Sequence, residues 1–406
     1  MKSAVKKRIF AAVFTAGLLS FSGYNLYLNG ERLSKQLEKI CAEKDYSTSE
    51  TEEVMLENIP FKIELVEVYG LVQRMLLKDD YNDFEYIKDK KGFLNYAQFY
   101  SESDKDIFEY AKRVKALKDY ASQYGTEVLF VITPSKYDRE NSDFLSGMPI
   151  NDPEEDVNEL MVYLNRMGVE TLNLGEYFPL SELTYEESFF KTDHHWTVPA
   201  SFFATKIIVE ELNNRFDAGL DPDGYYLSED TFEYKTYRGH MLGAMGRDTG
   251  VMYSGLEDFT AMFPRYEGDF VRTYIATDRE YRTKEGTYSE AFLDYTVLED
   301  DVDYYVDSQY SLYLDQIRDI EIIENRENPD GKSIFMIRDS YFGPVITFMA
   351  PLCSRIDAVY SMLRSNDMTI TGYLKERFES GVHYDYVIVE IYPYNIYDEA
   401  FRFFRG

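Results

Sequence analysis

The sequence predicts an α/β fold built on an open, parallel, doubly wound sheet, with an acidic insertion ahead of its last third. Three observations predict it. Strand-length segments at 128–132, 169–174, 334–337, 356–360 and 386–391 alternate with helix-period segments. The first of them, Val128-Leu129-Phe130-Val131-Ile132, is apolar throughout and closed by Thr133-Pro134, as suits a strand covered on both faces. Residues 215–330 then break the rhythm, being acidic, Tyr-rich and without long helical periodicity, and read as an inserted, β-rich or irregular region.

Taken in order, the chain opens on Lys2, Lys6, Lys7 and Arg8, followed by an uncharged stretch over 9–30. About 20 apolar residues span a bilayer. The apolar heart at 9–19 is shorter and matches a signal-peptide core, with Ser20-Phe21-Ser22 as a small-x-small site. Residues 1–30 are therefore expected to be a signal anchor or a signal peptide. Either places the acidic body outside the cytoplasm. Cys41 follows Glu38, Lys39 and Ile40, so it is not a lipoprotein acceptor. Residues 31–83 read as a polar stalk or lead-in segment, and 84–406 as the main domain, with the insertion at about 215–330.

Within that domain Ile107, Tyr110, Ala111, Val114, Leu117 and Ala121 recur at helical spacing, and Gly125 is a stop. A second helix is expected at 157–167, and a third has Pro199 in its first turn. Helices near 343–352 and 368–379 complete the alternation. In the insertion Gly239, Gly243, Gly246 and Gly250 lie close together.

The 406 residues carry a net charge of −30. Nucleic-acid binding through phosphates needs clustered Lys and Arg, and is excluded. Two cysteines, Cys41 and Cys353, allow neither a disulfide framework nor a zinc cluster. No P-loop or dinucleotide-type glycine loop is present, so no bound cofactor is expected. Tyr (37) and Phe (28) are abundant, which suits sugar stacking, whereas Trp occurs once.

Two short segments carry the chemistry. Lys191-Thr192-Asp193-His194-His195-Trp196-Thr197 holds two of the four histidines and the single Trp. In Ile334-Phe335-Met336-Ile337-Arg338-Asp339-Ser340-Tyr341 an apolar strand ends in Asp-Ser and a helix follows. Nucleophiles in open α/β sheets gather at the carboxyl ends of strands. A His base can take the proton of Ser340, and a carboxylate can fix the His tautomer. Asp193 and His195 are two apart, so one loop presents both. The blander alternative is a helix cap at Asp193 and an ordinary strand-end turn at Ser340. A metal reading of His194-His195 is weaker, because adjacent histidines usually point apart.

These residues resemble the DHHW family, named for the run Asp193-His194-His195-Trp196, and through it the SGNH-hydrolase-like polysaccharide O-acetyltransferases of the AlgJ/AlgX type. Tyr86-Ile87-Lys88-Asp89-Lys90-Lys91-Gly92-Phe93-Leu94, Val131-Ile132-Thr133-Pro134-Ser135-Lys136, the glycines of 239–250 and Arg338-Asp339-Ser340 match further family segments in the family's order. The resemblance implies an SGNH-hydrolase-like (flavodoxin-like) three-layer sandwich with a central parallel sheet and circularly permuted motifs. It implies an Asp193–His195–Ser340 triad, support from Arg364, and Tyr341 as a backbone donor to the oxyanion. Trp196 and Lys136 are candidates for substrate contact. Arg338 departs from the glycine of the standard block, which bears on the oxyanion hole.

The implied activity is acetyl transfer through an acyl-serine onto hydroxyls of a cell-surface or secreted polysaccharide. The acetyl group would come from a membrane-bound O-acyltransferase partner, ultimately from acetyl-CoA. An O-acetyl esterase and a non-catalytic glycan-binding protein are the alternatives. The acidic balance leans toward a neutral glycan, because a polyanion would be repelled.

Overall fold

Strands with apolar side chains on both faces need helices on both faces. Val128, Phe130, Ile132, Phe335, Ile337, Val387 and Val389 point into one core, and Leu129, Val131, Ile334, Met336 and Ile388 into the other. This two-residue alternation sorts the helices. Ile107–Ala121, Glu154–Arg166 and Ile370–Glu379 cover the first face, and Val198–Phe216 and Phe342–Met349 the second. The result is the expected three-layer sandwich.

The computed structural model describes residues 2–43, 59–97, 105–275, 280–315, 318–363 and 368–404. It divides into two compact units, Met1–Val72 and Gln73–Gly406. In the first, a helix runs Lys2–Glu43, and its stretch Ala4–Lys35 is long and apolar enough to cross a membrane. Phe10 and Leu19 on it are about 70% exposed, at 72% and 69%.

The second unit begins with a small antiparallel sheet of β1 (Asp80–Tyr81), β2 (Tyr86–Lys88) and β3 (Leu94–Tyr96). Residues 80–81, read from sequence as lead-in, thus pair with the segment that follows. The strands β4 (Glu127–Ile132) and β5 (Glu170–Asn173) come next, and the insertion follows. It supplies β6 (Phe232–Met241), β7 (Glu257–Pro264), β8 (Phe270–Ile275), β9 (Tyr281–Gly286) and β10 (Ile320–Asn325). The chain ends with β11 (Lys332–Arg338), β12 (Cys353–Tyr360) and β13 (Tyr386–Ile391).

The main sheet has the order β5-β4-β13-β11-β12-β10-β8-β9. Its first five strands are parallel, as expected, and the last three are antiparallel. The insertion therefore extends the sheet, and of its strands β6 and β7 pair apart from it. The insertion is thus the β-rich region the sequence suggests, but its individual strands are not legible there because charges sit in their buried rows. In β8 the inward row is Phe270, Arg272 and Tyr274, and Glu321 of β10 is fully buried.

Candidate active site

Both chemical segments lie on the carboxyl side of the parallel strands. Ser340 is two residues past the end of β11, and the helix Phe342–Met349 starts just after it. Asp193 and His195 sit in a tight loop. The Phe190 N–H donates to the His195 carbonyl at 3.2 Å, the Thr197 N–H to the Ser188 carbonyl at 2.9 Å, and Phe189 bridges Trp196. Thr197 then caps the helix Val198–Phe216 by accepting from the Ala200 N–H at 3.3 Å. The loop is fixed from both sides.

Across 145 residues of sequence the two segments meet. His195 Nδ1 lies 2.6 Å from Asp193 Oδ1, and His195 Nε2 lies 2.7 Å from Ser340 Oγ. Asp193 Oδ1 also accepts the His195 N–H at 3.0 Å, and Oδ2 accepts the Ala244 N–H at 2.7 Å. Burial alone would raise the Asp193 carboxyl. The facing rings of His195 and His194, with these hydrogen bonds, outweigh burial and hold it well below the usual carboxylate range. The His195 ring stacks on Tyr310 with centroids 4.2 Å apart. Tyr310, a residue of the insertion, therefore sets the plane of the imidazole. Sequence reading did not single it out.

The glycine-rich stretch of the insertion holds this loop. The Gly243 N–H donates to Thr192 Oγ1 at 2.8 Å, and the Gly246 N–H to the Thr192 carbonyl at 2.8 Å. A Cβ on Gly243 would come 2.2 Å from that of Asp193, and one on Gly246 would come 2.8 Å from that of Thr192. Only glycine lets the two backbones approach this closely. Glu257 of β7 accepts from the Lys191 and Thr192 N–H groups, each at 2.7 Å.

Two residues expected to touch substrate are structural instead. Lys136 is 1% exposed, and its Nζ donates to the carbonyls of Lys191 (3.0 Å) and Asp193 (2.6 Å). Burial pushes its pKa down to about 8, against the pull of Glu257, Asp193 and Asp89. Trp196 is fully buried, and its Nε1 donates to Tyr310 Oη at 3.0 Å and to the Tyr341 carbonyl at 3.1 Å. Both brace the loop from beneath and present no surface to a substrate. Arg364 lies outside the described residues.

A second buried network supports Ser340. Asp339 accepts the Tyr341 N–H at 2.9 Å on Oδ1, and the Tyr392 N–H and Asn395 Nδ2, each at 2.9 Å, on Oδ2. The Tyr341 N–H is therefore spent on Asp339, which corrects its expected role as the oxyanion donor. The Asp339 N–H donates to Glu390 Oε2 at 2.8 Å, and burial raises the Glu390 carboxyl well above its usual range. Arg338, in the place of a glycine, is also buried. Its Nη2 pairs with Glu321 Oε2 at 2.9 Å, and the other oxygen of Glu321 pairs with Arg272. Arg272 in turn pairs with Asp315 at 3.0 Å. The insertion thus neutralises the side chain that the departure introduces.

His194 does not diverge from His195, as adjacent histidines usually do. Their rings lie 4.0 Å apart, and Asp193, His194 and His195 could gather a metal ion by distance. Both nitrogens of His195 are already engaged, however, with Asp193 and Ser340. Burial pushes the pKa of His194 down to about 3. Its ring lies among Tyr96, Tyr341 and Tyr392.

Ser340 opens into a pocket of about 410 Å³ that Tyr96, His194, Tyr392, Tyr394, Asn395 and Tyr397 help to line. A half-buried serine hydroxyl aligned with an imidazole and a low-pKa carboxylate can act as a nucleophile. Its aromatic walls suit the faces of sugar rings.

A permuted three-layer α/β sandwich, with a strand-end serine facing an Asp-x-His loop, defines an SGNH-hydrolase-like protein. Residues 92–263 match the family model described as "SGNH hydrolase-like domain, acetyltransferase AlgX". The match takes in the Asp193–His195 loop and ends before Ser340. It bears out the resemblance read from the sequence. Among solved structures, Bacillus cereus PatB1 with a sulfonyl adduct is similar at a TM-score of 0.62 and 15% identity, covering 79% of this chain and 100% of that one. A DHHW family protein from Eubacterium siraeum is similar at a TM-score of 0.52 and 16% identity, covering 78% of this chain and 95% of that one. These likenesses show the fold. No curated protein matches the chain in sequence.

Proposed function

We propose that this chain is an extracytoplasmic O-acetyltransferase that moves acetyl groups through an acyl-serine on Ser340 onto hydroxyls of a cell-surface or secreted polysaccharide. The single observation that carries this reading is the hydrogen-bonded line Asp193–His195–Ser340 opening into a tyrosine-lined pocket. The likeness of residues 92–263 to the AlgX acetyltransferase domain supports acetyl transfer over other serine chemistry.

In the first half-reaction His195 Nε2 takes the Ser340 proton, and Ser340 Oγ bonds to the acetyl carbonyl carbon. Asp193 holds Nδ1–H and stabilises the imidazolium. The tetrahedral oxyanion rests on the Ser340 N–H and the second N–H of the Asn395 side-chain amide, whose first goes to Asp339 and which lines the same pocket. Its collapse expels the donor's leaving group, which takes the proton from His195. In the second half-reaction His195 removes the proton of a sugar hydroxyl. That oxygen bonds to the acetyl carbon, and Ser340 leaves with the proton returned. The donor acetyl comes from a membrane-bound acyltransferase partner, and the helix Lys2–Glu43 holds the protein at the same membrane.

Replacement of Ser340 by Ala, with acetyl measured on the surface polysaccharide, tests the proposal. Loss of acetylation is expected. Unchanged acetylation in a strain lacking any paralogue overturns it. A serine-directed sulfonyl fluoride is expected to label Ser340, in keeping with the sulfonyl adduct carried by the solved PatB1 structure. Transfer to an added oligosaccharide, set against release of free acetate, separates transferase from esterase.

A further inference from the structure

A second hollow, of about 890 Å³, lies at the carboxyl ends of β4 and β5. That volume falls within the roughly 300–1,000 Å³ of small-molecule sites. Ile132, Thr133 and Pro134 border it where β4 ends, and Asn173, Gly175 and Glu176 where β5 ends. Tyr185 and Phe189, on the segment that leads into the Asp193 loop, form another wall. It shares a rim with the Ser340 pocket. Pro153 borders both hollows, Pro393 borders this one, and the adjacent Tyr394 borders the other. Tyr394 Oη donates to the Asn151 carbonyl at 2.7 Å and fixes that rim.

The lining has a definite chemical character. It holds six carboxylates and one cation, Arg139. Arg139 is already spent on Asp152 at 2.7 Å and Glu154 at 3.5 Å. A polyanionic chain would meet like charge with no unspent cation among the lining residues. Hydroxyl groups, which donate, would instead meet an excess of acceptors. Tyr137 adds an aromatic face. At the floor, the fully buried Thr133 has a hydroxyl with no hydrogen-bond partner among the described residues. Nothing in the Ser340 chemistry uses any of these groups.

We propose that this cleft is the acceptor subsite, and that it selects an oligosaccharide carrying no anionic group. The proposal rests on the reading of Ser340 as the acyl carrier, and it assigns acceptor choice to residues outside the triad. The glycan lies along the cleft and passes one hydroxyl over the Pro153–Tyr394 rim to Ser340.

Calorimetric titration of the full chain carrying Ser340→Ala reads the cleft without the chemistry. Cellohexaose and the hexamer of N-acetylglucosamine are the neutral probes, and hexagalacturonate is the anionic one. At least one neutral probe is expected to bind at least tenfold more tightly than hexagalacturonate. Tyr137→Ala is expected to weaken it tenfold or more. The exposed pair Glu140→Lys and Glu176→Lys is expected to narrow the gap to the uronate at least fivefold. Failure of both neutral probes to bind, equal binding of the uronate, or indifference to both sets of substitutions overturns the cleft assignment. The two readings fail separately. Acetyl transfer by the protein with Ser340 intact, at an acceptor KM that the cleft substitutions leave unchanged, sinks the cleft alone. Probe binding as expected, without any acetyl transfer, sinks the reading of Ser340 alone.

Discussion

Lys136 donates to the main-chain carbonyl of Asp193 at 2.6 Å, from a position 1% exposed. A buried ammonium thus holds the backbone of the residue that orients His195. Lys136→Met leaves the Asp193 carbonyl unsatisfied, which costs about 1–3 kcal/mol, whereas the Lys191 carbonyl keeps the Leu94 N–H at 2.9 Å. The expected outcome is lower stability in denaturant titration and at least a tenfold loss of kcat. Lys136→Arg should not restore kcat, because a guanidinium needs room that this site lacks. A rise in KM with kcat unchanged would instead mean contact with substrate.

Removal of a triad member has a defined size. Ser340→Ala, His195→Ala and Asp193→Asn should each lower kcat by about 10³-fold or more, the scale known for such triads. Any two combined should cost little more than one, because the three act as a unit. Multiplicative losses in a transferase assay would argue against the hydrogen-bonded line as the working unit.

Gly243→Ala probes the glycine stretch. The added Cβ would fall 2.2 Å from that of Asp193, so one of the two backbones must shift. A displacement near 1 Å is enough to cost about 10²-fold in rate. The expected result is that loss with sulfonyl fluoride labelling of Ser340 slowed in step. Labelling at the normal rate would show that the loop had not moved.

The paired charges beneath Ser340 make opposite forecasts for their two signs. Glu321→Gln leaves Arg338 and Arg272 buried without their shared carboxylate, a loss of about 3–5 kcal/mol. Arg338→Met leaves Glu321 paired to Arg272 and should cost less. Urea midpoints of the two variants check the order.

His194 supplies a pH dependence. Its folded pKa is about 3, pushed down by burial, against 6.5 for the free group. Between those values the unfolded chain binds a proton that the native chain does not. Stability should therefore be fully present above pH 6.5 and fall as pH drops toward 3, by at most about 1.4 kcal/mol per unit. The difference in melting temperature between wild type and His194→Gln, followed from pH 7 to 4, isolates this contribution. A constant difference would refute it.

Much of this molecule is legible in the sequence where the physics is local. β4, β11 and β13 show as apolar runs because both of their faces are covered. Ser340, His195 and Asp193 stand out because their residue types and loop contexts are distinctive. What stayed hidden is set by distant partners. Arg272 and Glu321 hide the bounds of two strands in an insertion that reads only as β-rich or irregular, since a charge in a buried row is neutralised by a residue 49 positions away. Lys136 and Trp196 look like substrate contacts because local sequence does not display burial. Tyr310 and Asn395 act on groups 115 and 56 positions distant, which no spacing rule reaches. The cluster of four glycines was the one visible hint that the insertion touches the loop.

The place of β13 has a consequence for biogenesis. It is the last of the described strands to leave the ribosome, yet it lies between β4 and β11 in the middle of the sheet. Until it arrives, β4 and β11 have no partner between them, and the strand that carries Ser340 cannot settle beside the half that leads to His195. The last described strand to be made is therefore the one that closes the sheet beneath the triad.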